Sequence, residues 1–86
     1  MKSRKSPDFN DRFKDLPAEI QNKAREAYKT FAHDPTHPSL RFKKLRGTDD
    51  VWCVRITNDY RAIGVKEDDT IIWQWIGTHA DYDKLV

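Results

Sequence analysis

Residues 51–76 read VWCVRITNDYRAIGVKEDDTIIWQWI. This stretch contains three β-branched and aromatic runs, over residues 51–57, 60–66 and 70–76. Only two or three polar residues separate neighbouring runs, and loops this short join antiparallel strands. The stretch therefore predicts a β-meander. A further short strand is predicted ahead of it, over residues 40–45.

Alternation along these strands assigns their side chains to two faces of the sheet. On the first long strand Val54 points to one face and Arg55 to the other. On the last strand the same rule places Trp73 and Trp75 on one face and Ile76 on the opposite one. One face needs an apolar cover, and the other is expected to be a shallow, partly open surface that carries Arg55.

Helices precede the meander. Ser6-Pro7 has the form of an N-cap followed by proline at the first helical position, and Leu16-Pro17 ends that helix. A second helix is predicted from residue 17 to about 32, because its apolar residues recur with a helical period: Ile20, Ala24, Ala27, Tyr28 and Phe31. The predicted architecture is α+β: an N-terminal helical hairpin on a small antiparallel sheet, followed by a short C-terminal helix.

Length and composition restrict the class of protein. The chain has 86 residues, which predicts a single domain over residues 1–86. One cysteine, Cys53, argues against a disulfide scaffold and against multi-cysteine zinc modules. The sequence has neither the apolar stretch of a signal peptide nor a membrane-spanning run, so we expect a cytoplasmic protein without a membrane partner.

Charge is unevenly distributed along the chain. Residues 1–46 carry a net charge of +6, whereas residues 47–86 carry −4, within a formal total of +2. A basic half favours an anionic partner such as a nucleic acid or an acidic protein segment. A solvated surface without such a partner explains the same charges equally simply.

No metal or cofactor site is predicted. His33 and His37 are four residues apart, but Pro35 between them prevents a helix that would bring the two rings together. The sequence also lacks a glycine-rich phosphate loop and a Ser-His-Asp arrangement.

The remaining candidates are cations on the sheet and a histidine after it. Arg55 lies inside a strand, where a buried charge needs a partner, and Arg61 begins the next strand. The structural alternative for these arginines is a salt bridge to Asp59 or Asp81, or a side chain that extends along the surface and keeps its charge in water. His79 follows the last strand, and a helix-capping or surface histidine explains it as well as catalysis does.

Four segments together resemble the RelE/ParE superfamily of type II toxin–antitoxin systems: SPDFNDRFKDLP, IQNKAREAYKTFAHDPTHPSLRFKKLRG, VWCVRITNDYRAIGV and TIIWQWIGTHADYDKL. The most specific parts are the Tyr60-Arg61 pair and the closing run at residues 76–81, which resembles YafQ-like toxins. Two departures stand out. Cys53 occupies a position where RelE has a lysine, and Met1–Lys5 lack the apolar first strand usual in the superfamily.

The resemblance implies a toxin with a cognate antitoxin as its partner. RelE-like, YoeB-like and YafQ-like members of the superfamily cut mRNA in the ribosomal A site, whereas ParE-like members inhibit DNA gyrase without cutting RNA. By resemblance the chain is expected to be a ribosome-dependent mRNA endonuclease that needs no metal or small-molecule cofactor. A ParE-like inhibitor, and a homologue that keeps the fold without toxicity, are the alternatives.

The resemblance also implies site residues. Arg61 matches the arginine that contacts the scissile phosphate, Arg55 matches a basic residue of the preceding strand, and His79 matches the catalytic histidine of YafQ-like enzymes. Tyr82 falls near the C-terminal tyrosine that RelE uses. The residues expected to bind RNA or the ribosome are the cations around the first short strand: Arg41, Lys43, Lys44 and Arg46.

These residue types suit RNA cleavage without a metal. The ribose 2′-hydroxyl is the nucleophile, so the reaction needs a proton acceptor, a proton donor and cations for the phosphorane charge. Histidine titrates near neutral pH and transfers protons in either direction. Arginine remains charged and binds two phosphate oxygens at once.

Overall fold

The computed structural model describes residues 1–85 and contains a five-stranded sheet with three helices. In chain order the elements are β1 (Lys2–Lys5), α1 (Pro7–Lys14), α2 (Ala18–His33), a 3₁₀ turn (Pro38–Leu40), β2 (Lys43–Lys44), β3 (Val51–Arg55), β4 (Tyr60–Glu67), β5 (Thr70–Thr78) and α3 (His79–Leu85). The strands lie in the order β1-β5-β4-β3-β2. The α+β architecture, the helical hairpin and the short C-terminal helix are therefore confirmed.

The sheet is mixed, which corrects the prediction of a purely antiparallel one. Strands β2 to β5 form the predicted antiparallel meander, but β1 pairs with β5 in parallel. Main-chain bonds hold β1 at both ends, from Lys2 N to Asp69 O (2.9 Å) and from Ser6 N to Trp73 O (3.0 Å). Because three of its four residues are exposed, β1 has no apolar pattern from which it could be predicted.

The strand before the meander is also shorter than predicted. Residues 38–40 form a 3₁₀ turn and Arg41 adopts a left-handed backbone conformation (φ 46°), so that only Lys43–Lys44 pair with β3. Proline at the first position of the turn favours this helical geometry over an extended strand.

The helical hairpin covers one face of the sheet. Ser6 caps α1 as predicted, accepting a bond from Phe9 N (3.1 Å), and Gln21 Nε2 joins the helices through the carbonyl of Phe13 (3.0 Å). Together with the 3₁₀ turn, the helices and the sheet bury one apolar core: Phe9, Ala24, Phe31, Leu40, Val54, Ala62, Ile71, Trp73 and Ile76. This face of the sheet therefore has the apolar cover that the sequence predicted, supplied by the apolar stripes of the helices.

A β-bulge on β5 changes the predicted faces. Ile63 lies opposite Trp75, whereas the next residue, Gly64, lies opposite Trp73, so Gln74 is an extra residue in the ladder. An extra residue reverses the alternation beyond it. Trp75 therefore leaves the face of Trp73, and Ile76 joins the main core. The prediction that the two tryptophans share a face is wrong for this reason.

The second face is partly covered by α3. Cys53, Trp75 and Tyr82 form a small buried cluster there, with Leu45 and Ile63 packed against it. The expectation of an open surface thus holds only for the part of this face that α3 leaves exposed. Within residues 1–85, none of the helices has both the length and the apolar character needed to cross a membrane.

Candidate functional site

The β3–β4 turn brings together three of the predicted site residues. Arg55 and Arg61 are partners in the antiparallel ladder that leads into this turn, and Arg61 is also opposite Gly77 on β5. The chain then reaches His79, whose backbone nitrogen donates to the carbonyl of Asp59 in the turn (2.6 Å). Arg55, Arg61 and His79 are thus all attached to one end of the sheet.

Arg61 is half-buried and fixed to the turn. Its Nη1 donates to three backbone carbonyls, those of Thr57, Asn58 (3.2 Å) and Tyr60 (2.9 Å). All three bonds use one nitrogen of the guanidinium. In the part of the chain that the structure describes, Nε and Nη2 therefore remain free for a ligand.

Arg55 is also half-buried and bonds within the same turn. Its Nη2 donates to the side-chain oxygen of Asn58 at 2.6 Å. The predicted salt bridge to Asp59 or Asp81 does not form: in residues 1–85 no carboxylate lies within ion-pair distance of Arg55 or Arg61. The two positive charges are therefore not neutralised by these residues.

His79 is the first residue of α3, and its side chain is 47% exposed. The Nε2 atom lies 3.6 Å from Oδ1 of Asp83, and the ring is stacked on that of Tyr82, with centroids 6.0 Å apart. The helix is capped by a different residue, since Thr78 Oγ1 accepts a bond from Asp81 N (3.1 Å). The side chain of His79 therefore does not cap the helix, which was one of the two alternatives to catalysis.

Tyr82 is buried beneath His79, with 8% of its surface exposed. Burial, together with a hydrogen bond with the Cys53 side chain, raises the pKa of Tyr82 to about 12. The hydroxyl therefore stays protonated at neutral pH, and the ring forms the base on which the imidazole lies.

The predicted RNA-binding cations are divided between two surfaces. Lys43, Lys44 and Arg46 are exposed and line a groove of about 680 Å³, whose remaining wall includes Tyr82 and Leu85. We call this the basic groove. Arg41 lines a separate depression with Phe42 and Trp52, because its left-handed backbone turns the chain before β2.

A metal site does not emerge from the described residues. Residues 1–85 contain no group of three or more His, Cys, Asp or Glu side chains arranged to hold a metal ion. His33 ends α2, while His37 precedes the 3₁₀ turn and its Nδ1 bonds to Ser39.

Comparison with models of protein families shows which family the chain belongs to. A model described as a ParE-like toxin domain matches residues 18–84. The chain belongs to this family. Its membership of the RelE/ParE superfamily, predicted from the sequence, is confirmed. The β3–β4 turn and α3 as far as Lys84 lie inside the matched region of this ParE-like toxin domain.

Solved structures of toxins share the fold of the ParE-like domain. The chain is similar to a RelB–RelE antitoxin–toxin complex from Methanococcus jannaschii (19% identity, 96% of this chain and 99% of that chain, TM-score 0.77). It is also similar to YafQ from Escherichia coli BL21(DE3) (15%, 93% and 94%, 0.74) and to the RelBE2 toxin–antitoxin complex of Mycobacterium tuberculosis (18%, 91% and 96%, 0.73). No curated protein matches the chain.

The structure adds two residues that the sequence analysis missed. Asn58 binds Arg55, and Asp83 faces His79. The spacing of His79 and Asp83, four residues apart in a predicted helix, was a usable signal for the second. Asn58 carried no such signal, because a turn residue becomes a side-chain partner only through the local backbone geometry.

Proposed function

We propose that this ParE-like domain is the toxin of a type II toxin–antitoxin system and acts as a metal-independent, ribosome-dependent mRNA endonuclease. It would act in the cytoplasm, where its substrate is translated. The observation that carries the proposal is the pair of half-buried arginines at the β3–β4 turn, Arg55 and Arg61, which no carboxylate among residues 1–85 neutralises. Uncompensated cations beside an exposed histidine suit a phosphate group that is being cleaved.

The proposed reaction is an internal displacement on RNA. The ribose 2′-oxygen attacks the adjacent phosphorus, the bond from phosphorus to the 5′-oxygen breaks, and the products are a 2′,3′-cyclic phosphate and a 5′-hydroxyl. One proton leaves the 2′-hydroxyl and one reaches the 5′-oxygen. His79 carries out one of these two transfers, since its side chain is partly exposed at the turn and an imidazole can both accept and donate a proton.

The arginines stabilise the charge that develops on the phosphate. Arg61 uses the part of its guanidinium that the turn carbonyls leave free, and Arg55 adds a second cation from the neighbouring strand. Tyr82 takes part through its ring, which supports the imidazole of His79, because its buried hydroxyl is held in the neutral form.

The basic groove supplies affinity for the ribosome–mRNA complex. Lys43, Lys44 and Arg46 present three exposed charges that suit phosphate oxygens without reading the base sequence. Arg41 contributes a further phosphate contact from its separate depression.

An antitoxin is the second proposed partner. Similar chains occur in antitoxin–toxin complexes from Methanococcus jannaschii and Mycobacterium tuberculosis, as the descriptions of those structures state. An acidic antitoxin segment on the basic groove would neutralise the charges that the ribosome–mRNA complex requires.

A non-enzymatic inhibitor of a protein target, such as DNA gyrase, is the alternative function. One observation favours it: the three bonds of Arg61 Nη1 to turn carbonyls also explain a purely structural arginine. The matching family model is described as ParE-like, which is compatible with either activity. The other alternative is that the chain is a homologue that keeps this fold but is not toxic.

Primer extension on a reporter mRNA in a translation extract tests the proposal. With the wild-type protein we expect new 5′ ends inside the reading frame, dependent on translation. His79→Gln should reduce cleavage by at least about 10²-fold while ribosome binding remains. His33→Gln, at an exposed histidine that ends α2, is the matched control and should cleave normally.

Other results point to the alternatives. Arrested growth and stalled replication with intact mRNA would support the non-enzymatic inhibitor. Normal growth on induction would support the homologue without toxicity. Loss of ribosome binding together with cleavage in His79→Gln would assign His79 an RNA contact in place of proton transfer.

A further inference from the structure

We propose that Asp83 is a positioning residue for His79: its carboxylate holds the Nε2 proton of the imidazole and leaves Nδ1 as the atom that exchanges a proton with the substrate. This inference rests on the proposed function for the identity of the reaction. The tautomer of His79, however, is a property of the free protein and is measured without substrate.

The geometry of α3 places the two side chains together. His79 and Asp83 are four residues apart in the helix, which puts both on one face, and Nε2 lies 3.6 Å from Oδ1. This separation exceeds that of a hydrogen bond by a few tenths of an ångström, and a small rotation of the exposed Asp83 side chain removes the difference. Catalytic hydrogen bonds often shorten in this way once substrate binds.

Two further contacts hold His79 in place. The face of its imidazole ring is stacked on the ring of Tyr82, with an angle of 17° between the planes. The backbone of His79 is bonded to the β3–β4 turn, from His79 N to Asp59 O. One ring edge therefore faces Asp83, and among residues 1–85 no hydrogen-bond partner occupies Nδ1 on the other edge.

The chemical consequence concerns the tautomer. A neutral imidazole carries its proton on one nitrogen and a lone pair on the other. A carboxylate beside Nε2 favours the proton on that atom and so directs the lone pair to Nδ1. When Nδ1 gains a proton from the substrate, the same carboxylate stabilises the imidazolium, and no other bond at His79 changes.

The exposure of the pair limits its effect on stability. The side chains of His79 and Asp83 are 47% and 60% exposed, so water screens their attraction, and we expect little contribution to folding. A substitution at Asp83 should therefore change the tautomer and the rate much more than the melting temperature. This separates a positioning role from a structural one.

The direct test is an NMR measurement of the two ring nitrogens of His79 in the free protein, followed through a series of rising pH until the signals of the neutral ring no longer change. We expect the wild type to show the proton mainly on Nε2, and Asp83→Ala to lose this preference. Asp83→Glu should restore it. Asp81→Ala is the matched control. It removes the same charge from the same helix, but the carboxylate that it removes pairs with Lys84 and not with His79.

The cleavage assay provides the second readout. Asp83→Ala should lower the cleavage rate by about tenfold with unchanged ribosome binding, and Asp83→Glu should recover most of it. Asp81→Ala should stay near the wild-type rate.

Specific results would overturn the inference. A wild-type proton on Nδ1, or a tautomer that Asp83→Ala leaves unchanged, contradicts it directly. Equal losses of cleavage in Asp83→Ala and Asp81→Ala would mean that only the charge of the helix matters. If the wild type cuts no mRNA, the proposed function fails, while the tautomer measurement still decides the relationship between Asp83 and His79.

Discussion

Arg55 lies directly opposite Arg61 in the β3–β4 ladder, so two cations face each other across one pair of strands. Like charges at such positions repel and destabilise a sheet. Each guanidinium bonds within the adjoining turn, Arg55 to the Asn58 side chain and Arg61 to three carbonyls, and these bonds offset the repulsion. An anion between the two side chains would relieve it further.

The first prediction concerns Arg61. Arg61→Ala should abolish toxicity, because a phosphate donor of this kind contributes about 2.7–4 kcal/mol of transition-state stabilisation. It should also lower the free energy of unfolding by about 1–2 kcal/mol, since the turn carbonyls lose their donor. Growth on induction and thermal melting of the purified variant measure the two effects. Arg25→Ala, at an exposed arginine of α2 outside the turn, is the control.

Toxicity at the wild-type level in folded Arg61→Ala would leave the residue with a structural role only. Arg61→Lys refines the comparison. A lysine keeps the charge but lacks the planar guanidinium, which can donate to the carbonyls and to a phosphate at the same time. We therefore expect partial toxicity.

The second prediction concerns the basic groove. Reversing Lys43 and Lys44 to Glu should weaken binding to the ribosome and also to the cognate antitoxin, because both partners would meet repulsive charge. The dependence of ribosome binding on salt should become less steep. Filter binding at several salt concentrations and calorimetry with the antitoxin provide the measurements.

Lys14→Glu with Lys23→Glu, a double reversal on the helices, is the control for net charge. If the groove variant and this control lose affinity equally, the effect comes from total charge. If antitoxin affinity does not change in the groove variant, the antitoxin docks elsewhere.

The third prediction concerns Tyr82 and alkaline pH. An unfolded tyrosine titrates near pH 10, whereas burial and Cys53 raise the pKa of Tyr82 to about 12 in the folded protein. Between these values the unfolded state releases the proton and the folded state keeps it. Stability should therefore be complete below about pH 10 and fall as pH rises towards 12, by up to about 2 kcal/mol.

Tyr82→Phe removes this titration, so the loss of stability above pH 10 should be smaller than in the wild type when both are measured by urea unfolding. Tyr28 and Tyr60 are present in both proteins, so the difference between the two curves isolates Tyr82. Cleavage by Tyr82→Phe should stay within a few-fold of the wild-type rate, because the ring beneath His79 is kept. A large loss of cleavage would assign the hydroxyl a direct role.

The fourth prediction concerns Gly64 beside the bulge. A methyl group at this position would lie 2.8 Å from Ile71 Cγ1 and 2.9 Å from Trp73 Cε3, closer than van der Waals contact allows. Gly64→Ala should therefore destabilise the protein by about 1–3 kcal/mol. Gly47→Ala is a contrasting variant: open space surrounds its Cβ position, and only the backbone conformation (φ 79°) opposes the change.

The sequence revealed those parts of the fold that have an apolar period. The stripe on α2, the cap at Ser6 and the three long strands followed from spacing alone. β1 and the bulge at Gln74 did not: β1 is held by main-chain bonds that any residue makes, and a single inserted residue leaves no mark in composition. The same limit applies to the site. Arg55, Arg61 and His79 could be named from resemblance, and the spacing of Asp83 from His79 in the predicted helix was a usable signal for that contact. The contact of Asn58 with Arg55 depends on the folded turn.

The parallel pairing of β1 with β5 brings together two segments that are far apart in the sequence. The partners Lys2 and Thr70 are separated by 68 positions (70 minus 2), whereas β3, β4 and β5 pair with their neighbours across short turns. Closing so long a loop costs more conformational entropy than forming a hairpin, so we expect the edge of the sheet to form after the meander. A partner that recognises the completed edge would distinguish fully folded molecules from partly folded ones.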